Sequence, residues 1–136
     1  MVEHKHITLS TKNRGFHLIT DEILSQLGEL PNNGLLSIFI QHTSCGLTIN
    51  ENADPSVRVD FETSFNHLIK ENESFYTHTM EGPDDMPAHI KSSLVGSSLT
   101  VPIINKQLGL GTWQGIYLCE FRDHATARRI ITSIYS

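Results

Sequence analysis

"LLSIFIQHTSCGLTINE", residues 35–51, contains two short apolar segments separated by a polar stretch. Leu36, Ile38 and Ile40 occupy alternate positions in the first segment. Because side chains on a strand point alternately to its two faces, this spacing predicts a strand with one apolar face. "GLTINE" repeats the pattern and predicts a second strand soon after the first. We therefore expect a fold built on strands that each bury one face.

Two helices are predicted from the spacing of other apolar residues. "TDEILSQLGEL" begins with a threonine suited to capping and has acids in its first turn. "ADPSVRVDFETSFNHLI" has Asp54 as a predicted cap and Pro55 at the first helical position. Each segment has an apolar stripe at helical spacing: Ile23, Leu24, Leu27 and Leu30 in the first, and Val57, Phe61, Phe65 and Leu68 in the second.

The remaining segments predict further strands and a short helix near residues 87–95. "HKHITLS", "SLTVPII", "TWQGIYLCEF" and "RRIITSIY" have the composition of strands, and "NKQLGLG" is expected to be a hairpin loop between two of them. Regular alternation of strand and helix is lacking. The prediction is therefore a single α+β domain over residues 1–136, with a sandwich or barrel-like, mainly antiparallel sheet and flanking helices.

Composition excludes several classes of function. The chain has 136 residues and a net charge of −5, which argues against a nucleic-acid binder because phosphate contacts need a basic surface. It contains no apolar run of the length that spans a membrane, and "MVEHKHITLS" lacks the pattern of a signal peptide. Two cysteines are too few for a disulfide framework. We therefore expect a cytoplasmic protein that binds neither nucleic acid nor membrane.

Three polar side chains fall on the apolar face of predicted strands. His42 follows Ile40, Glu51 follows Ile49, and Glu120 follows Leu118, each in the same alternating register. Burying an isolated charge is costly, so a carboxylate in such a position must be paired, protonated or bound to a metal. The pattern indicates a pocket, unless the three residues lie just beyond the core and face water.

Eight histidines in a short chain suggest a metal site. Zinc enzymes commonly use three imidazole or carboxylate ligands and leave one position open. The candidates are His42, His78, His89 and His124, although no HExxH or CxxC spacing is present. Pro87 at the start of a helix would put His89 near the positive end of the helix dipole, which favours the neutral, metal-binding imidazole. The alternative for each histidine is a surface or hydrogen-bonded role.

Other combinations of residues leave alternatives open. His42 and Cys45 are close enough for a cysteine–histidine nucleophile, but a small buried cysteine is the more common reading. Arg122 suits phosphate binding, and strand alternation also places it where an ion pair with Glu120 can form. In "EGPDDMPAHIKSSLVG", Asp84 is expected to cap the helix and nothing more.

Three long segments resemble successive motifs of one known family. "HTSCGLTINENADPSVRVD", "YTHTMEGPDDMPAHIKSSLVG" and "LGLGTWQGIYLCEFRDH" are similar, in order and spacing, to the YjbQ-type family, also called the secondary thiamine-phosphate synthase family. The resemblance covers about residues 6–134. It implies a small α+β domain with a sandwich or barrel-like sheet, a homotrimer, and sites in clefts between subunits.

The resemblance also implies site residues. His42, His78 and His89 are expected to bind a metal, with zinc favoured and magnesium an alternative for a diphosphate substrate. The motif residues expected in catalysis are Glu51, Asp85, Glu120 and Arg122, and those expected to bind substrate are Asn50, Asp54, Trp113 and Gln114. Cys45 stands where alanine is usual in the family, which argues further against a thiol nucleophile.

The activity implied is the joining of a pyrimidine diphosphate to a thiazole phosphate, which yields thiamine phosphate and pyrophosphate. More broadly, we expect a metal-dependent enzyme that acts on a phosphorylated small molecule. The alternatives are a metal-dependent phosphoester hydrolase and a trimeric protein that binds a metal or metabolite without catalysis.

Overall fold

The computed structural model describes all residues from Met1 to Ser136. The chain forms eight strands and three helices, and none of the helices is long and apolar enough to cross a membrane. In chain order the elements are β1 Val2–Thr8, β2 Gly15–Leu18, α1 Thr20–Leu27, β3 Asn33–Ile40, β4 Cys45–Glu51, α2 Pro55–Leu68, α3 Asp85–Val95, β5 Ser98–Ile104, β6 Gln107–Leu108, β7 Gln114–Glu120 and β8 Arg129–Tyr135.

The strands form two antiparallel sheets. One has five strands in the order β1-β8-β3-β5-β6, and the other has three in the order β2-β7-β4. The stretch 35–51 crosses from one sheet to the other, because β3 lies in the first and β4 in the second. Leu36, Ile38 and Ile40 of β3 and Leu47 of β4 are buried together in the main core between the sheets. The predicted α+β sandwich is confirmed.

β7 is the centre of the smaller sheet and is buried on both faces. Ile116 and Leu118 face the main core, while Tyr117 and Cys119 point the opposite way into a second apolar cluster. Helices α2 and α3 cover that second face, with Phe61 and Phe65 of α2 packed against the cluster. The molecule therefore has three layers: the five-stranded sheet, the three-stranded sheet, and a pair of helices.

Helix α2 begins as its sequence predicts. Pro55 is its first residue, and the Asp54 carboxylate accepts a hydrogen bond from the Ser56 N–H at 2.9 Å. Phe61 and Phe65 of the predicted apolar stripe pack inward. Leu68 does not, since it is 69% exposed at the last residue of the helix.

The predicted threonine cap of α1 is wrong. Thr20 is the first residue of the helix, and no side chain caps this end. The Thr20 hydroxyl instead accepts a hydrogen bond from the Ile116 N–H of β7 at 2.9 Å. A hydroxyl near a helix start can satisfy any backbone donor within reach, and here the donor belongs to a strand 96 residues away. The apolar stripe of α1 packs on the main core as predicted, with Ile23 fully buried.

The connection after β5 also differs from its prediction. β5 pairs with the two-residue strand β6, and the turn between them places Asn105 and Lys106 at positive φ. Two successive left-handed residues are typical of a tight two-residue hairpin turn. The next long strand, β7, lies in the other sheet, so "NKQLGLG" does not join two long paired strands. β2 was not predicted, because four residues are too few to show a period.

A buried ion pair connects the two sheets. Glu120 at the end of β7 is fully buried, and it accepts hydrogen bonds from Arg128 Nε at 2.7 Å and Nη2 at 2.6 Å. Arg128 immediately precedes β8 and also donates to the Ser44 hydroxyl at 2.9 Å. The predicted inward position of Glu120 is confirmed. The ion pair forms with Arg128, whereas Arg122 contributes only its backbone N–H to Glu120.

This pair predicts a specific loss of stability. Arg128→Met leaves the Glu120 carboxylate buried without a cationic partner, and we expect the free energy of unfolding to fall by about 3–5 kcal/mol. Urea unfolding monitored by circular dichroism measures the change. Arg129→Met is the matched control, since the neighbouring Arg129 is exposed and forms no ion pair. Equal effects of the two substitutions would contradict a stabilising role for the pair.

Candidate metal centre

Helix α3 lies against the crossover from β3 to β4, and two side chains fix its position. His89 Nδ1 is 2.9 Å from the Thr43 carbonyl oxygen, and the Ser92 hydroxyl donates to the Cys45 carbonyl at 2.7 Å. The helix begins at Asp85, two residues before the predicted start. Asp85 and His89 are four residues apart and therefore share one face of the helix.

His78, Asp85 and His89 converge at the start of this helix. Their ligand atoms all lie within 4.8 Å of one another. Asp85 Oδ2 is 2.7 Å from His78 Nε2 and 3.2 Å from His89 Nε2, and the centroids of the two imidazole rings are 5.3 Å apart. His78 reaches the site from the segment between α2 and α3. Two nitrogen donors and one carboxylate form a set that suits zinc or another transition metal better than magnesium, which prefers oxygen ligands.

The hydrogen bond of His89 decides which of its nitrogens is free. A backbone carbonyl can only accept, so the proton of the neutral ring lies on Nδ1 and is donated to Thr43. The bare Nε2 then faces Asp85 Oδ2, which is also an acceptor. Only a second proton on the ring or a cation between the two atoms makes this contact favourable. A histidine that donates one ring N–H to a carbonyl is oriented as metal-binding histidines are.

Asp85 is also held by the charge of Arg122, in addition to its contacts with His78 and His89. Only 1% of its side chain is exposed, and its Oδ1 accepts a hydrogen bond from Arg122 Nη1. Burial raises the pKa of this carboxyl, but the neighbouring His78, His89 and Arg122 outweigh burial and hold the pKa below its ordinary value. Asp85 is therefore a fixed, ionised carboxylate at the centre of the cluster.

Asp84 has a different role from the predicted cap. Its side chain makes no capping hydrogen bond to α3. Asp84 Oδ2 instead accepts from Arg122 Nε at 2.8 Å and from the Asp123 N–H at 2.9 Å. Arg122 also donates to the Glu81 carbonyl at 3.1 Å. Each of the three guanidinium nitrogens thus bonds to a group next to the start of α3, and Arg122 positions Asp85.

The cluster is open to solvent and has a cavity on each side. The His78 side chain is 48% exposed and that of His89 is 30% exposed. A cavity of about 200 Å³ borders His78 and includes Tyr76 and Met86 in its lining, and another of about 430 Å³ borders His89. A larger cavity of about 650 Å³ lies beside α2 and is away from the cluster; the arginine lining it, Arg14, is paired with Glu62 and Glu71.

His42, expected as a metal ligand, lies outside the cluster. Its Nε2 accepts a hydrogen bond from the Arg129 N–H at 2.8 Å, and because that group can only donate, the ring proton lies on Nδ1. Burial, together with the charges of Arg128 and Arg129, lowers the pKa of His42 and favours the neutral ring. His124, the fourth candidate, is exposed and also lies outside the cluster.

The residues expected to bind substrate, together with Glu51, which was expected in catalysis, are at the opposite end of the smaller sheet. In the pairing of β4 with β7, Cys45 is opposite Glu120 and Glu51 is opposite Gln114. Cys45 and Glu51 are six positions apart along an extended strand, which is about 20 Å. The residues at this far end are Asn50, Glu51, Asp54, Trp113 and Gln114. One chain therefore does not bring them to the metal cluster.

The side chains at this far end satisfy local groups. Glu51 Oε2 is 3.4 Å from the Asp54 N–H, and Gln114 Oε1 accepts from the Gly111 N–H at 2.8 Å. Asn50 Oδ1 accepts from the Glu51 N–H at 2.8 Å. Trp113 is 65% exposed and covers no core. This end presents an aromatic ring and polar groups to solvent.

The cysteine nucleophile is excluded by its environment. Cys45 is fully buried in the main core, and burial raises the pKa of its thiol to about 12. A thiol with so high a pKa is protonated at neutral pH and is a poor nucleophile. Cys45 therefore packs the core, which is the more common role that the sequence also allows.

Two features of the site were not predicted from the sequence. One is the Thr43 carbonyl, which orients His89 but leaves no trace in residue type. The other is the central position of Asp85 between the two histidines, since the sequence predicts for Asp85 a supporting role or that of an occasional metal ligand. The four-residue spacing of Asp85 and His89 on one helix is the signal that points to it.

Comparison with known proteins supports the same fold and motifs. The family described as UPF0047 protein YjbQ-like matches residues 5–136. UPF0047 protein YjbQ of Escherichia coli O157:H7 is 53% identical over 132 residues, which covers 96% of this chain and 95% of that protein. UPF0047 protein sll1880 of Synechocystis is 40% identical, covering 97% of this chain and 91% of that protein.

Solved structures agree with the sequence relatives. The conserved hypothetical protein TT1486 of Thermus thermophilus has a TM-score of 0.83 at 33% identity, covering 94% of this chain and 97% of that one. A YbjQ-like protein of Sulfolobus solfataricus has a TM-score of 0.84 at 25% identity, covering 98% and 96%. With matches over nearly its whole length in sequence and in structure, the chain belongs to the UPF0047 YjbQ-like family.

Proposed function

We propose that the protein is a metal-dependent enzyme acting on a phosphorylated small molecule. His78, Asp85 and His89 would hold the divalent metal, with zinc first in preference. One observation carries the proposal: one ligand atom from each of His78, Asp85 and His89 lies within 4.8 Å of the other two, while Nδ1 of His89 is engaged by the Thr43 carbonyl. Three protein ligands on an open surface leave a coordination position for water or substrate.

Two residues of the protein position the ligands of such a metal. Arg122 fixes the Asp85 carboxylate, and Thr43 fixes the ring of His89. The metal would supply the positive charge that a phosphate needs, and it would polarise a bound oxygen. Arg122 and Arg128 are already paired with carboxylates, so neither side chain offers a spare fork of donors. Phosphate binding would therefore depend mainly on the metal.

Thiamine-phosphate synthesis is the first specific reaction to test, on the strength of the family resemblance. In that reaction a carbon–oxygen bond to the diphosphate breaks, a carbon–nitrogen bond to the thiazole forms, and pyrophosphate leaves. Magnesium with the diphosphate is an alternative to zinc in this case. Hydrolysis of a phosphate ester is the second candidate, and it is favoured by the exposure of His78 and His89, which admits water to the cluster.

We also propose that the protein is cytoplasmic and forms a homotrimer. Two free, buried cysteines suit a reducing compartment. The outer face of the five-stranded sheet supports assembly, because it carries large apolar side chains that are 44–53% exposed: Val2, Leu35, Phe39, Ile104 and Tyr135. Apolar surface of this kind on a sheet is typical of an interface between subunits.

Metal binding gives the most direct test. Zinc should bind the purified protein in one-to-one ratio, as measured by elemental analysis after dialysis and by titration calorimetry. We expect His89→Ala and Asp85→Asn to abolish stoichiometric binding, since each removes a ligand. Arg122→Met should weaken the affinity for zinc about 10- to 100-fold, because Asp85 loses the side chain that orients it as a ligand.

Two histidines serve as matched controls for metal binding. His42→Ala and His124→Ala should leave the zinc stoichiometry unchanged, because both rings lie outside the cluster. A protein without stoichiometric metal would contradict the proposed centre. So would loss of zinc in His42→Ala with full retention in His78→Ala.

Activity is tested on the metal-loaded protein with the two thiamine precursors. Thiamine phosphate and pyrophosphate should appear in equal amounts, measured by chromatography, and both should disappear with a chelator or with His89→Ala. Release of inorganic phosphate from simple phosphate esters under the same conditions would favour the hydrolase. A protein that binds metal but turns over neither kind of substrate would instead be a binding protein.

The interface is tested by placing a charge on the outer face of the sheet. Phe39→Asp should convert a trimer into monomers, measured by light scattering, because a buried unpaired carboxylate opposes association. Val59→Asp is the control, since Val59 on α2 is also apolar and is 62% exposed but lies on another surface. A monomeric wild-type protein would contradict the trimer. Dissociation by Val59→Asp alone would show that the interface lies on α2 and not on the sheet.

A further inference from the structure

A polar groove borders the candidate metal centre on the side of His89. It lies between α3 and the crossover from β3 to β4, and its cavity is about 430 Å³. Its lining contains no apolar side chain and consists of His42, Thr43, His89, Ser92, Ser93, Gly96 and Ser97. The proposed metal centre uses His89 and the Thr43 carbonyl from this lining, and the serines have no assigned role at that centre.

The hydrogen bonds within the groove determine what it offers a ligand. The hydroxyls of Ser92 and Ser93 donate to the carbonyls of Cys45 and His89, so only their lone pairs remain. The hydroxyls of Thr43 and Ser97 donate to no other protein group. The groove therefore presents both free donors and free acceptors.

His42 adds a donor of fixed orientation. Its Nε2 is occupied by the Arg129 N–H, so Nδ1 carries the hydrogen of the neutral ring. His42 lines the groove, and its Nδ1–H has no other protein partner. A ligand that carries both oxygen acceptors and O–H donors matches this arrangement.

The charge of the groove argues against a phosphate at this position. No lysine or arginine side chain lines it. Helix α3 ends at Val95, so Gly96 lies at the carboxyl end of the helix, where the dipole is negative. A phosphate would lack a cationic partner here, whereas a metal at the centre next to the groove would provide one.

The lack of apolar lining argues equally against a flat heterocycle. Sites for aromatic ligands are lined mostly by hydrophobic and aromatic side chains. The smaller cavity beside His78, with Tyr76 and Met86, is closer to that description. The groove beside His89 suits a neutral group with several hydroxyls.

We propose that this groove binds the polyhydroxylated part of a sugar or polyol phosphate whose phosphate lies at the metal centre. His89 borders both places, so one short ligand reaches from the metal to the hydroxyl groups of Thr43 and Ser97. The inference rests on the proposed function for the position of the phosphate. The recognition of hydroxyl groups depends only on the residues that line the groove.

Calorimetric titration of the zinc-loaded protein with D-ribose 5-phosphate tests this inference, with inorganic phosphate and phenyl phosphate as comparison ligands. Ribose 5-phosphate should bind about tenfold more tightly than either comparison ligand, since the sugar adds hydrogen bonds that they lack. Ser97→Ala should weaken ribose 5-phosphate binding about three- to tenfold and leave phosphate binding unchanged. Ser98→Ala is the matched control, because Ser98 is exposed but does not line the groove.

Failure of the groove and failure of the metal centre give different results. Equal binding of ribose 5-phosphate and inorganic phosphate to zinc-loaded protein, or tighter binding of phenyl phosphate, overturns the groove and leaves the metal centre intact. If the protein binds no zinc, D-ribose is titrated instead while amide NMR signals are recorded. Shifts at Thr43, Gly96 and Ser97 that Ser97→Ala removes would support the groove alone, and unchanged signals would overturn it.

Discussion

Asp85 is an ionised carboxylate with 1% of its side chain exposed, and the candidate centre is organised around keeping that charge paired. A buried charge without partners is too costly to persist, so the chain must bring cations or donors to it. They come from three separate places: Arg122 after β7, His78 before α3, and His89 one turn along the helix. One residue thus joins a strand end, a loop and a helix into a single site.

Both faces of β7 are buried, and the arginines that follow this strand, Arg122 and Arg128, are paired with carboxylates on either side of it. Glu120, on the face toward the main core, takes Arg128, while Arg122 turns to the start of α3 and takes Asp84 and Asp85. Both guanidinium groups therefore stabilise the scaffold and its ligands. In the proposed site, positive charge for a substrate would come from a metal held by His78, Asp85 and His89.

The sequence predicts most of what depends on local period. Alternation along residues 35–51 predicts two strands, and Asp54 with Pro55 predicts the start of α2. The choice of His78 and His89 as expected ligands comes from the family resemblance and not from local period. What the sequence misses depends on backbone groups distant in the chain. Thr20 bonds to Ile116 and His42 bonds to Arg129, and neither partner is marked by a residue type, because every non-proline residue carries an N–H.

The separation of the two ends of β4 bears on how a complete site is built. Glu51 and Trp113 lie about 20 Å from the Cys45 end, and a paired strand cannot fold back to close that distance. Trp113 is nevertheless exposed, without a core to cover. If these residues act on the same substrate as His89, they must come from another copy of the chain. A site shared by these residues and His89 would thus require a second copy of the chain, whereas metal binding by His78, Asp85 and His89 would require only one subunit.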